Sequence, residues 1–219
     1  MQWSERVDTV LVDVDGTLVD SNYQHALAWF RAFRQQDITL PLWTIHRAIG
    51  MGGDQLVAYL TNDEVERQYG DSLRAAWGDE FEPMLTEITP LPHAHELLVA
   101  LKEAGFVIAL ASSGPARHVK KFLDLVEGQD IVDTWTSSDD ADHSKPAPDL
   151  IDAALHKVRG GRPVLVGDST WDCVAARRAE IPSLAVRTGG FSADELYDAG
   201  AEHVVETLKD LARLLVRDN

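Results

Sequence analysis

Apolar positions along this chain follow two different rhythms, and the boundary between them predicts its layout. The run Val7-Asp8-Thr9-Val10-Leu11-Val12-Asp13-Val14 is β-branched and too short for a core helix, which predicts a central strand. From Asn22 to about Leu91 such runs disappear. Ala26, Leu27, Trp29, Phe30 and Phe33 recur at helical spacing, and Pro41 suits a helix start with Leu42, Ile45 and Ile49 as an apolar face ending at Gly50. Leu56, Val57 and Leu60 predict a further turn or two, and Val65 to Phe81 another helix carrying Tyr69, Leu73 and Trp77. The aromatic residues of this stretch read as the packed interior of a small helical domain.

After Pro83, Pro90 and Pro92 the strand rhythm returns, now alternating with helices. The expected order is helix 97–104, strand 106–111, helix 117–125, strand 131–135, helix 149–157, strand 163–166, helix 172–179, strand 184–186 and a strand-helix pair within 203–216. Phe106 to Ala111 is almost continuously apolar, as in a parallel sheet covered on both faces. The pattern therefore predicts an α/β fold, a βα repeat interrupted once after its first strand by about 70 helical residues. The predicted division is a discontinuous catalytic core, 1–21 and 92–219, and a helical cap, 22–91.

Composition narrows the possibilities. The chain has 219 residues, 45% of them apolar, enough for a substantial interior. Its formal charge of -16 repels nucleic acid and anionic membranes over most of the surface, so any phosphate must be met locally. No run approaches the length of a membrane span, the first residues do not resemble a signal peptide, and the single cysteine, Cys173, permits no internal disulfide. A cytoplasmic location is expected, with neither nucleic-acid nor membrane partners. Monomer and homodimer stay equally open.

Candidate chemistry sits where the predicted strands end, the usual ligand position in an open parallel sheet. Asp13 and Asp15 close the first strand before Gly16 and Thr17, and period two points both to one side, where two carboxylates repel unless a cation or shared proton intervenes. Ser112-Ser113-Gly114-Pro115 opens a helix after the second strand, offering a hydroxyl and free N–H groups to an anion. Gly167-Asp168-Ser169-Thr170-Trp171-Asp172 delivers two further carboxylates, and an all-carboxylate set suits Mg2+ better than zinc. Lys145, held in Ser144-Lys145-Pro146-Ala147-Pro148, could neutralise both carboxylates and a phosphate.

Taken together, Asp13-Val14-Asp15-Gly16-Thr17-Leu18-Val19-Asp20-Ser21, Ala111-Ser112-Ser113-Gly114, Lys145-Pro146 and Gly167-Asp168 through Asp172 resemble the four motifs of the haloacid dehalogenase-like hydrolase superfamily. The inserted helical segment resembles the cap of its phosphoglycolate phosphatase and β-phosphoglucomutase-like branch. The resemblance covers essentially the whole chain and implies a three-layer Rossmann-like core with an α-helical cap. It implies Asp13 as nucleophile, Asp15 as general acid and base, and Ser112 with Lys145 on the transferring phosphoryl group. Magnesium is implied to lie on Asp13, Asp168 and the backbone carbonyl of Asp15, supported by Asp172. Gly16, Thr17, Ser113 and Gly114 are the further implied substrate contacts.

The implied activity is magnesium-dependent hydrolysis of a small phosphate monoester, a sugar phosphate or a phosphoglycolate-like metabolite. Asp15 speaks against dehalogenation, because a halide leaves without a proton. His25 stands where the mutase-like proteins carry a histidine beside their general acid, which keeps a phosphomutase in play. Against it, Gly50-Met51-Gly52-Gly53-Asp54, the loop comparable to the mutases' arginine-bearing one, has no basic residue, leaving Arg47 as the expected cap contact for a substrate carboxylate or phosphate. A phosphate-sensing or scaffold protein without turnover is the remaining alternative, although none of the motif residues is missing.

Overall fold

Val10 and Val12 face one side of the first strand and Leu11 the other, and the two sides meet different helical layers. The computed structural model describes residues 3–158 and 161–216. Its six strands are β1 (Thr9–Val12), β2 (Val107–Ala111), β3 (Thr134–Thr136), β4 (Pro163–Gly167), β5 (Ser183–Val186) and β6 (His203–Val205), all parallel in the order β3-β2-β1-β4-β5-β6. The chain leaves β1 in one direction for β2 and β3 and then returns to its other side at β4. This reversal opens a crevice at the carboxyl ends of β1 and β4.

Helix α1 (Trp3–Arg6) precedes the sheet, and α2 (Asn22–Gln35), α3 (Leu42–His46), α4 (Gly53–Leu60) and α5 (Asp63–Phe81) form the insertion. Core helices α6 (Ala94–Glu103), α7 (Ala116–Leu125), α8 (Asp149–Lys157), α9 (Thr170–Arg178), α10 (Ala193–Ala199) and α11 (Leu208–Leu215) follow. Large side chains fill the layer on the Val10 side, among them Leu97, Leu101, Phe122 and Leu211. The Leu11 side is lined by Ala109, Ala111, Ala154, Ala175 and Ala176, so α8 and α9 sit close to the sheet. The insertion has an interior of its own, built on Trp29, Phe33, Ile45, Leu56 and Leu73, while Phe81, Met84 and Leu85 at its end join the core's apolar cluster. Among the described residues no helix is long and apolar enough to cross a membrane.

Two elements depart from the sequence pattern. The helix expected from Pro41 to Gly50 stops at His46, leaving Leu42 exposed and Ile49 buried in the turn that follows, where Gly50 adopts φ +106° against Ser169. The strand expected at 131–135 starts later because Ile131 and Val132 donate to the Gly128 carbonyl in a turn, and the ladder begins only after Asp133.

Candidate active site

Asp13 leaves β1 with its N–H donated to the Val166 carbonyl at 2.9 Å, which fixes it level with the end of β4. Asp168 follows β4 directly. Asp172 sits in the first turn of α9, where Ser169 caps the helix and donates its N–H (3.1 Å) and hydroxyl (2.5 Å) to Asp172 Oδ2. Lys145 donates to Asp13 Oδ1 and lies 2.8 Å from Asp172 Oδ1, with only 1% of its side chain exposed. One oxygen from each of Asp13, Asp168 and Asp172 lies within 4.8 Å of the others.

A layer behind these carboxylates holds them. Thr17 donates its hydroxyl to Asp168 Oδ1 at 2.9 Å with Asp13 Oδ2 at 3.4 Å, and Asn22 Nδ2 donates to Asp168 Oδ2 at 2.9 Å. Glycine is required on both sides of Asp168: a Cβ on Gly16, which has φ +78°, would lie 2.3 Å from Oδ2, and one on Gly189 1.9 Å from it. Gly16 and Thr17, expected at the substrate, pack against the carboxylate cluster. Their side of the turn is filled by Asn22 and Asp168, and the Gly16 carbonyl accepts from the Thr188 hydroxyl at 2.5 Å.

Electrostatics follow from this burial. Asp13 is pushed well above the ordinary carboxylate range, chiefly by burial, with Lys145 opposing and Asp172 and Asp168 adding to the rise. Burial and the Asp172 charge lift Asp168 to about 7. For Lys145, burial acts against the charge, yet Asp13 and Asp172 outweigh it and hold the ammonium firmly protonated. With all three carboxylates ionised, one ammonium would leave two negative charges in a buried, oxygen-only cluster, which is why burial raises Asp13 and Asp168; a divalent cation of the Mg2+ type fits both that charge and the donors.

Asp15 faces away from that cluster. Ser21 donates its hydroxyl to Asp15 Oδ1 at 2.5 Å, and His25 Nε2 lies 2.9 Å from the same oxygen. Burial resists the charge on Asp15, but His25, Ser21 and the more distant His118 overcome it and hold the carboxyl below its usual range. The His25 ring stacks on Phe81 at 4.0 Å and Trp77 at 5.6 Å, so its position is set by packing from α5. The expected part of Asp15 in holding a metal thus rests on its backbone carbonyl.

Above these groups lies a cavity of about 350 Å³, reached by Asp13, Asp15, His25, Ser113 and Gly114 from below. Ser112 is buried under the loop, its Oγ accepting the Gly114 N–H at 3.0 Å, whereas the buried Ser113 hydroxyl has no partner among the described residues. Trp29, Ile49, Met51 and Trp77 of the insertion form much of the roof. Cys173, next to Asp172, is packed in an apolar cluster with its thiol pushed up to about 12 by burial, so it serves packing.

Arg47, the expected cap contact, is not among the residues lining the cavity and is engaged elsewhere. Its guanidinium pairs with Glu195, donates to the Gly190 carbonyl at 3.4 Å and lies 3.9 Å over the Phe191 ring. The Arg47 carbonyl also accepts from the Trp171 indole at 3.0 Å, so this residue fastens the insertion to the core. A second fastening lies beside the cavity: Ser144 donates its N–H to Asp54 Oδ2 at 3.0 Å and its Oγ accepts the Gly52 N–H at 2.9 Å. The arginine that does line the cavity is Arg74, which donates to Glu66 and Asp71, each at 2.8 Å, and to the Gly53 carbonyl at 3.1 Å.

Asn22, Ser21, Trp29, Trp77 and the Asp54–Ser144 contact were not singled out by sequence. One signal was present: Asn22, His25 and Trp29 are spaced i, i+3, i+7, so the helix that carries His25 to Asp15 presents all three on one face.

The chain is similar to known proteins over nearly its whole length. Residues 10–186 match the haloacid dehalogenase-like hydrolase family. The chain is 22% identical to the pyrophosphatase PpaX of Oceanobacillus iheyensis over 95% of its own length and 97% of that protein. It is 28% identical to a phosphoglycolate phosphatase of Nitrosospira multiformis, with 97% of each chain covered. The crystal structure of a hydrolase from Pseudomonas syringae superposes with a TM-score of 0.87 at 32% identity, covering 93% of this chain and 95% of that one. With its strand-end carboxylates, parallel sheet and helical insertion, the chain belongs to the haloacid dehalogenase-like hydrolases.

Proposed function

We propose that the protein is a magnesium-dependent phosphatase that hydrolyses a small phosphate monoester through an aspartyl phosphate on Asp13, with 1–21 and 92–219 as catalytic core and 22–91 as cap. The observation that carries this reading is the buried set of Asp13, Asp168, Asp172 and Lys145 beneath a cavity that Asp13 lines, with Asp15 held separately on its wall. Relatives named as phosphoglycolate phosphatases support a small phosphorylated metabolite as substrate.

Asp13, Asp168 and the Asp15 carbonyl would hold the magnesium ion, with Asp172 orienting Lys145. When bound, the ion supplies positive charge to offset the attacking carboxylate and the phosphoryl oxygens. Lys145 keeps its proton throughout and draws the phosphoryl group toward Asp13, with Ser112 and the N–H groups of its loop on the remaining oxygens. Asp13 then attacks phosphorus and the alkoxide departs toward Asp15. Because Asp15 holds a proton weakly, His25 at 2.9 Å is the group positioned to pass it one. Asp15 next takes a proton from the water that hydrolyses the acyl phosphate. Trp29 and Trp77 close the cavity against bulk solvent during the first step.

A phosphomutase draws on one observation, the His25–Asp15 contact. It would need a cation for a second phosphate, and Arg74 is already divided between two carboxylates. Turnover of p-nitrophenyl phosphate with and without magnesium, in the wild type and in Asp13→Asn, tests the hydrolase reading; undiminished activity in the variant would remove Asp13 as nucleophile. Incubation with β-glucose 1-phosphate and a trace of the bisphosphate separates the two readings, with release of inorganic phosphate expected and accumulation of glucose 6-phosphate favouring the mutase.

A further inference from the structure

The two ends of the cavity differ in what they can recognise. Below are the groups that address a phosphoryl oxygen. The remaining walls include Trp29, Ile49, Met51, Trp77, Pro115 and Leu150, apolar apart from the Trp77 indole N–H, which is buried without a partner among the described residues. The polar side chains among these walls are largely engaged with one another. Arg74 is shared by Glu66, Asp71 and the Gly53 carbonyl, and Asp54 accepts from both the Ser144 N–H and the Ser144 hydroxyl. Asp142, at the exposed edge, adds a negative charge. Among the described residues lining the cavity, Arg74 is the one arginine or lysine, and its guanidinium is already shared by two carboxylates.

Resting on the phosphate monoesterase reading, we propose that the alcohol half of the substrate is an uncharged apolar group, aryl or alkyl, rather than one bearing a carboxylate, a second phosphate or several hydroxyls. A carboxylate placed against Trp29 and Met51 would lose its hydration in a cavity whose one guanidinium, Arg74, is already paired with Glu66 and Asp71, and the several hydroxyls of a sugar would lose water for few unengaged partners, among them the Trp77 indole N–H and the Ser113 hydroxyl. An apolar ring meets neither cost and gains from leaving water. Size agrees: about 150 Å³ suffices for benzene, so a cavity of about 350 Å³ holds a phosphoryl group together with a ring.

The test uses the full-length protein with magnesium and compares kcat/KM for 2-phenylethyl phosphate and propyl phosphate with that for phosphoglycolate and glucose 6-phosphate. A preference of about 10²-fold or more for the apolar esters is expected, the scale on which a site rejects a group it leaves unpaired. Met51→Lys, which keeps a long aliphatic stem but brings an ammonium to the roof, is expected to narrow the ratio of 2-phenylethyl phosphate to phosphoglycolate about tenfold or more. If that variant fails to fold, Ala141→Lys on the same cavity at its half-exposed edge serves in its place. Hydrolysis of all four esters with phosphoglycolate or glucose 6-phosphate preferred, or a ratio untouched by the added ammonium, overturns this inference and leaves the phosphatase reading standing. Failure to turn over any ester, p-nitrophenyl phosphate included, overturns both.

Discussion

Beneath the cavity, Lys145 is enclosed by Asp13 and Asp172, and each carboxylate of the cluster is held by a named donor. Above it, Trp29 and Trp77 stack at 5.7 Å, and the nearest cation is tied to its own helix neighbours. The floor is organised by charge that burial makes expensive to leave unmatched; the roof is organised by shape. Errors in the floor should therefore cost orders of magnitude in rate and measurable stability, whereas errors in the roof should redistribute preference among substrates.

The largest break in the floor is removal of Lys145. Lys145→Met leaves three buried carboxylates facing one another, for which a loss of about 3–5 kcal/mol is expected, or roughly 10 °C in Tm by thermal melting without metal. Added magnesium should recover part of that loss, and a variant as stable as the wild type would show that the ammonium is not needed to balance the cluster. Asp15→Asn probes the one acid outside the cluster. It should slow release of an alkoxide by about 10²- to 10⁴-fold more than release of p-nitrophenolate, because only the poor leaving group needs the proton; equal losses would take the acid role from Asp15.

The pH dependence of metal-free stability sharpens the contrast further. Asp168 has a folded pKa of about 7 against an ordinary 3.8, so between those values the folded protein binds the extra proton. Its contribution to stability therefore falls as pH rises through that window. The difference in Tm between the wild type and Asp168→Asn should decline from pH about 5 to about 8 without magnesium and reverse sign when magnesium is present. Asn22→Ala should weaken magnesium binding, read by titration calorimetry, about tenfold by freeing one oxygen of Asp168. The smallest effect is expected at Arg47→Ala: a uniform change of about threefold or less across a substrate panel, since its half-exposed pair with Glu195 touches no substrate.

The same contrast explains what could be read from the chain. Asp13, Lys145, Asp168 and Asp172 stand at strand ends or beside prolines, where local sequence fixes position, and the strands themselves announce their burial by β-branched runs. Arg47 and Arg74 illustrate the opposite case. Both lie in helical surroundings with similar neighbours, and which of them reaches the cavity depends on how α3 and α5 pack across α2, an outcome of tertiary contacts. Thr17 and Gly16 sat in a recognised motif yet lie against Asp168 and Asn22, because motif membership does not reveal which side of a turn is filled; here Asn22 fills it. The later start of β3 has a similar origin, with Ile131 and Val132 burying their side chains from a turn.

The position of β1 has a consequence for synthesis. Val10, Leu11 and Val12 are synthesised before either of the strands that flank them, yet they lie in the middle of the finished sheet, paired with 108–110 on one side and 164–166 on the other. At a translation rate of about 5–20 residues per second, roughly 10–30 s separate β1 from its second neighbour. During that interval the helical insertion, with an interior of its own, is already complete and tethered directly behind an unpaired apolar strand. The nascent chain must therefore shelter β1 until β4 arrives, a demand placed by the strand order on whatever greets the polypeptide at the exit tunnel.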